Sequence, residues 1–247
     1  MIKKVVVMAA GKGTRMKELG VDKPKHLIDV AGKPFLYHVL ENLKEAGLSE
    51  IIIVVGYKKE AMQEFAKKYG EYFNLKLVDQ FEIMGTEKYG TAIPILAVEE
   101  SIGADDFMVI NGDDLFSPND LKRMAETEND FSYIAGLHHM EPKHFGILEY
   151  DENNFLRRII EKPTPGVDYD EDRAMEYLIS PGMYKFSAEI FDTLKRVEKS
   201  PRGEYELTDA ITLLAQEKKV KIFPLREYWH TFGKPEDIAK VEEFLGR

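Results

Sequence analysis

Two glycines and two cations near the amino terminus carry the strongest chemical signal in this sequence. The run Val5-Val6-Val7-Met8-Ala9-Ala10-Gly11-Lys12-Gly13-Thr14-Arg15 passes from apolar, β-branched residues into small residues and a glycine turn, and Lys23-Pro24-Lys25 follows. A strand that ends this way exposes backbone N–H groups to an anion, because glycine has no Cβ and tolerates left-handed geometry. Arg15 and Lys25 supply charge that can neutralise phosphate. Two better-known glycine loops fit poorly. A P-loop needs Gly-Lys-Ser/Thr after a four-residue gap, whereas Lys12 stands between the glycines. A dinucleotide fingerprint needs a small residue at Met16 and an acid ending the second strand, which instead reads Ile51-Ile52-Ile53-Val54-Val55-Gly56.

A second constellation, Asn111-Gly112-Asp113-Asp114, follows the apolar run Phe107-Met108-Val109-Ile110. Carboxylates placed there stand at the carboxyl edge of a sheet, where open α/β sheets bind ligands. Mg2+ takes one or two carboxylates plus phosphate oxygens and water, so Asp113 alone suffices to hold a metal–triphosphate. Asn-Gly-Asp is equally ordinary turn chemistry. The six histidines form no metal-ligand pattern.

These residues need a scaffold, and the hydrophobic pattern predicts one. Pro34 opens a helix with Phe35, Val39, Leu40, Leu43 and Ala46 at helical spacing, and Gly47 stands where a C-cap belongs. The buried strand Ile51 to Val55 follows it. A second helix is predicted from about Lys59 to Tyr69, ending at Gly70, then a strand near Leu75 to Val78, a helix from Thr91 through Val98, and the strand 107–110. Apolar strands alternating with helices imply a parallel sheet covered on both faces. Beyond about residue 130 the strand candidates are 131–137, 146–150, 156–160 and 183–186, in a mixed or antiparallel region. A helix over 207–216, a strand over 220–223 and a helix near 235–245 close the chain.

The amino-terminal segment resembles the signature of the sugar-1-phosphate nucleotidylyltransferases, whose first strand is followed by Gly-x-Gly-Thr-Arg and then by a lysine in a Lys-Pro context. Further matches run in consistent order from residue 5 to residue 239. The resemblance implies a Rossmann-like three-layer α/β sandwich with a mixed, largely parallel central sheet, in one domain. Its nucleotide half would span about 1–130 and its sugar-phosphate half about 131–247. It implies transfer of NMP from an NTP to a sugar 1-phosphate, with Mg2+ as cofactor. Arg15, Lys25 and Asp113 would be catalytic, Asp113 as the metal ligand; Ala9, Ala10, Gly11, Gly13 and Thr14 would cradle the nucleotide. Gln80, with Gly85 or Gly90-Thr91, would read the base. The distance from Gly90 to Asn111 suits one helix and one strand, which favours Gly90. Gly146, Glu161, Lys162 and Ser180 would hold the sugar phosphate, Ser180 standing where relatives carry asparagine. Gln80 points to UTP or dTTP and hence to glucose 1-phosphate. A cytidylyltransferase acting on another phosphorylated acceptor, or a slow sensing homologue, is the alternative. Thr208 or Asp209 reads as helix-start chemistry. Thr231 occupies a position where the family usually has an aspartate that completes the metal site.

Composition bounds the partners. The formal net charge of −10 argues against a nucleic-acid surface, because phosphate backbones demand a clustered basic face. There is no cysteine, so disulfides and thiolate metal sites are excluded. No apolar run reaches membrane-spanning length and no charged-then-apolar leader precedes the first strand, so a cytoplasmic protein is expected, with homo-oligomerisation left open.

Overall fold

The computed structural model describes residues 1–13, 15–16 and 23–246. Its first half alternates strand and helix: β1 (Lys4–Met8), β2 (Asp29–Val30), β3 (Lys33–Pro34), α1 (Phe35–Glu45), β4 (Glu50–Val55), α2 (Lys59–Phe73) and β5 (Leu75–Asp79). Three short helices, α3 (Gln80–Met84), α4 (Ala92–Leu96) and α5 (Glu99–Ile102), lead into β6 (Phe107–Asn111), β7 (Asp114–Phe116) and α6 (Pro118–Ala125). The second half contributes β8 (Ser132–His138), β9 (Gly146–Tyr150), β10 (Leu156–Ile160), β11 (Leu178–Ser180), β12 (Met183–Phe186) and α7 (Glu189–Leu194). It closes with α8 (Leu207–Gln216), β13 (Val220–Pro224), β14 (Trp229–Thr231) and α9 (Glu236–Leu245).

One mixed sheet runs through both halves in the order β10-β9-β11-β8-β12-β6-β1-β4-β5, with β13 also paired to β8. The block β6-β1-β4-β5 is parallel, and β12 joins it antiparallel to β6. Side chains alternate across each strand, and the burial follows that parity. Val5, Val7, Ile51 and Ile53 pack with α1, α2 and α6, while Val6, Ile52, Val54 and Val109 pack with α4, α7 and α8. The sheet is therefore the middle layer of three.

Local chemistry explains where the elements stop. Pro34, at φ −55°, is already set for the helix it precedes, and Gly47 turns out of it at φ +85°. The α2 helix does not end at Gly70. It continues to Phe73 because Asn74 adopts the left-handed conformation at φ 52° and donates its N–H to the Gly70 carbonyl. The helix expected from Thr91 to Val98 covers only α4, which ends at Leu96, and a separate turn, α5, follows beyond it.

Two pairings position the site. In the β1–β6 register Met8 faces Asn111, and Gly112 donates its N–H to the Met8 carbonyl at 2.9 Å. The glycine loop and the Asn-Gly-Asp turn thus leave the same sheet edge side by side. In the small antiparallel β7–β14 pair Thr231 faces Asp114, and the Phe232 N–H reaches the Asp113 carbonyl at 2.7 Å.

Candidate active site

Lys25 and Asp113 form a largely buried ion pair at the carboxyl edge of the sheet, their side chains 12% and 17% exposed. Lys25 opens a short 3-10 turn, Lys25–Leu27, set by Pro24. Its aliphatic stem lies over Gly13, which has φ +64° and on which a Cβ would meet the Lys25 side chain at 3.5 Å. Gly11 is open: a Cβ there would touch nothing within 4 Å. Ala10 lines the cleft, whereas the Ala9 side chain is in the core and only its backbone borders the loop. Thr14 lies outside the described residues.

The adjacent carboxyls Asp113 and Asp114 are driven apart. Burial works to raise Asp113, but the Lys25 ammonium outweighs it and holds that carboxyl below its ordinary range. Asp114 has no such counter-charge; burial, with the Asp113 charge beside it, pushes it up to about 8. Its oxygens instead accept from Asn111 Nδ2 and Trp229 Nε1, each at 2.9 Å. Burial, aided by Lys25, drives the fully enclosed His26 imidazole down to about 3, so it is neutral and adds no charge to the pair. Asp113 is the anion of the edge and Asp114 a buried scaffold group.

A cleft of about 170 Å3 beside this edge is lined by Met8, Ala10, Gly11, Gln80, Tyr89, Gly90, Thr91, Pro94, Asn111 and Glu204. Gln80 is not a loop residue. It begins α3, whose amino end is capped by the Asp79 side chain accepting from Phe81 N at 2.9 Å. It is buried, and its Oε1 has no partner among the described residues. Of the two Gly-Thr pairs only Gly90-Thr91 reaches the cleft; Gly85, at φ +75°, faces open space. Gly90, at φ +129°, is backed by the Tyr205 main chain, with which a Cβ would overlap.

The strand register gathers the acceptor residues. Ser180 of β11 faces Gly146 of β9, and β10 pairs with β9 so that its last residue, Ile160, delivers Glu161 to the same place. A Cβ on Gly146 would stand 3.3 Å from Glu161 Oε1. Burial, then the neighbouring Glu206 charge, raises the Glu161 carboxyl. Ser180 Oγ and Thr208 Oγ1 are buried, the first beside the Tyr184 phenol and the second beside the Glu161 carboxyl. Lys162 holds a left-handed φ of 47°, an uncommon conformation for a lysine. Between the two groups lies the buried Tyr184 phenol; burial pushes it up to about 12, and Glu161 and Asp114 both add to the rise. Thr208 does not cap α8. It lies inside the helix, and the Leu207 N–H is met by Thr91 Oγ1 at 2.8 Å from across the cleft.

Arg15 is not among the residues that line the Gln80–Gly90 cleft. It lines a second cavity of about 400 Å3 with His139, His144, Thr231, Lys234 and Lys240. His230 is turned into the core against Phe244, at 4.3 Å between ring centroids, and cannot stand in for a metal ligand. Among the described residues no three His, Asp or Glu groups cluster around a metal position. Tyr89, Asn111 and Glu204 also line the cleft, although sequence reasoning gave none of them a role in the site. Only Asn111 had a signal, its place at the end of an apolar strand.

Among the described residues no helix is long and apolar enough to cross a membrane. A family model described as nucleotidyl transferase matches residues 4–247. The bifunctional protein GlmU of Methanocaldococcus jannaschii is 34% identical over 241 residues, 97% of this chain and 53% of that protein. The low-salt glycan biosynthesis nucleotidyltransferase of Haloferax volcanii is 32% identical over 246 residues, 98% of this chain and 66% of that one. The chain spans about half the length of the GlmU relatives it matches. A crystal structure of UDP-glucose pyrophosphorylase complexed with UDP-glucose shares the fold at TM-score 0.82 and 24% identity, with 100% of each chain covered. By the family model and by the arrangement of its sheet edge, this chain belongs to the nucleotidyl transferase family.

Proposed function

We propose that the chain transfers a nucleoside monophosphate from UTP or dTTP to a sugar 1-phosphate, glucose 1-phosphate foremost, with release of pyrophosphate. The observation that carries this reading is the convergence of three unlike features on one edge. These are an open glycine turn, a buried lysine–carboxylate pair, and an unpartnered glutamine oxygen in the adjoining cleft. An oxygen of the sugar phosphate attacks the α-phosphorus in line, and the bond to the pyrophosphate oxygen breaks. Lys25 sits to neutralise charge on the reacting phosphates, the Gly11–Gly13 backbone receives the leaving ones, and Gly146, Glu161, Lys162 and Ser180 orient the acceptor. No covalent nucleophile is required.

The donor set suits Mg2+. One carboxylate at the sheet edge, Asp113, is what that ion takes when phosphate oxygens and water complete its shell. When bound it would screen phosphate charge. With Thr231 rather than a carboxylate opposite Asp114, that site has few protein charges. Thr231→Asp is therefore expected to lower the Mg2+ concentration for half-maximal activity several-fold, as read from initial rates across a Mg2+ titration. An unchanged midpoint would show that position 231 does not serve the metal.

Pyrophosphate release measured across NTP and sugar-phosphate pairs tests the function. UTP or dTTP with a hexose 1-phosphate should dominate; a preference for ATP or GTP, or silence with every pair, overturns the reading. Gln80→Ala should raise the KM for the pyrimidine nucleotide and narrow its margin over purines, since an unmatched polar edge costs about 1–3 kcal/mol. An unaltered base preference in that variant would remove Gln80 from base reading.

A further inference from the structure

Asn111 is held in one orientation by groups that have no other evident task. Its Nδ2 donates to Asp114 Oδ2 at 2.9 Å, and the other Asp114 oxygen is taken by the Trp229 indole N–H, which can only donate. Asp114 is 4% exposed, so water does not compete for these bonds. Gly182, at φ +90°, presses on the amide from the far side, where any Cβ would overlap Nδ2. The donor end of the amide is thus turned into the protein. Asn111 nonetheless lines the cleft, and its Oδ1 accepts from no described residue. The amide oxygen is the end that these contacts leave to a ligand.

The place of that acceptor along the cleft limits what it can meet. Gln80, Gly90, Gly11 and Asn111 line one cleft, Asn111 pairs with Met8 at the foot of the glycine loop, and Gly13 of that loop lies against Lys25. A nucleotide with its base at Gln80 and its phosphates at the glycine turn lays its sugar over Asn111. The hydroxyls are the only hydrogen-bond donors of that sugar. We infer that Asn111 Oδ1 accepts from a ribose hydroxyl of the bound nucleotide, which makes Asn111 a residue that selects the pentose. This rests on the nucleotide reading of the cleft.

The test compares UTP with 2′-deoxy-UTP and 3′-deoxy-UTP at constant base, each with the preferred sugar phosphate. In the wild type kcat/KM should fall about tenfold or more for the analogue that lacks the contacted hydroxyl, as expected for a buried acceptor left unpaired. Asn111→Ala should bring UTP down to the level of that analogue and leave the analogue within about twofold of its wild-type rate. Wild-type indifference to both analogues overturns the inference without any variant. So does an Asn111→Ala protein that loses all three substrates in equal proportion, the mark of a merely structural residue. If another base proves preferred, its deoxy analogues replace these. Silence with every substrate pair defeats the transferase reading instead, and calorimetric binding of UTP against its two analogues then decides on Asn111: equal affinities, or no binding, overturn it.

Discussion

Lys25→Ala is expected to lower turnover by about 10²-fold or more while the protein stays folded, because a preorganised cation aimed at developing phosphoryl charge is lost from a water-poor site. The side chain is 12% exposed and its ammonium is paired with Asp113. Its removal strips Asp113 of the main charge that opposes burial, so the Asp113–Asp114 pair should take up a proton at higher pH than in the wild type. The sign of the linked stability follows. A depressed Asp113 contributes stability above its unfolded value, lost as pH falls through its folded one, and the variant forfeits that contribution. Pyrophosphate release under saturating substrate, beside far-UV circular dichroism, measures the effect. A rate within about threefold of wild type would remove Lys25 from the chemistry.

Gly90→Ala should cost about 3 kcal/mol of stability or more and raise the KM for the nucleotide. At φ +129° an L-residue is already strained, and the new Cβ would overlap the Tyr205 backbone, which has no flexible end to yield. That contact is part of a clasp. Ala92 donates to the Tyr205 carbonyl at 3.0 Å, Tyr205 to the Tyr89 carbonyl at 2.8 Å, and Leu207 to Thr91 Oγ1 at 2.8 Å. Displacing it would shift the wall of the cleft along with the start of α8. Gly85→Ala is the control: its φ of +75° and ψ of 169° carry a conformational penalty too, but its surroundings are empty, so about 1–3 kcal/mol, less than for Gly90→Ala, and an unchanged KM are expected. Denaturant midpoints of the two variants decide. Equal losses would mean that the Gly90–Tyr205 approach is not the reason for the glycine.

Elements with long periodic patterns are legible in the residue order alone. The α1 stripe of Phe35, Val39, Leu40 and Leu43, the wholly apolar β1, β4 and β6, and the bounds of α8 follow from burial acting at a fixed spacing, a rule that reads the same in one dimension as in three. The strands β7, β11 and β14 are not, because three residues are too few to show a period. Local competition also misleads: Gly70 suggests a helix end that Asn74 supplies instead, and a glutamine expected in a loop begins a helix capped by the preceding aspartate.

For the site, the sequence itself identifies the groups able to do phosphate chemistry, namely the glycine turn, Lys25 and Asp113, since their residue types and their positions after apolar strands are local facts. Which of them meet is decided only by tertiary structure. Spacing favours Gly90 over Gly85 without showing what surrounds it, and nothing in the chain signals that the Tyr205 backbone backs Gly90, that Glu204 lines the same cleft, that Arg15 lines a separate cavity, or that Asp113 and Asp114 divide into an anion and a buried scaffold group. The physical reason is that strand order and register place residues from distant parts of the chain on one edge, and the burial created there, rather than residue type, sets each group's charge and partners.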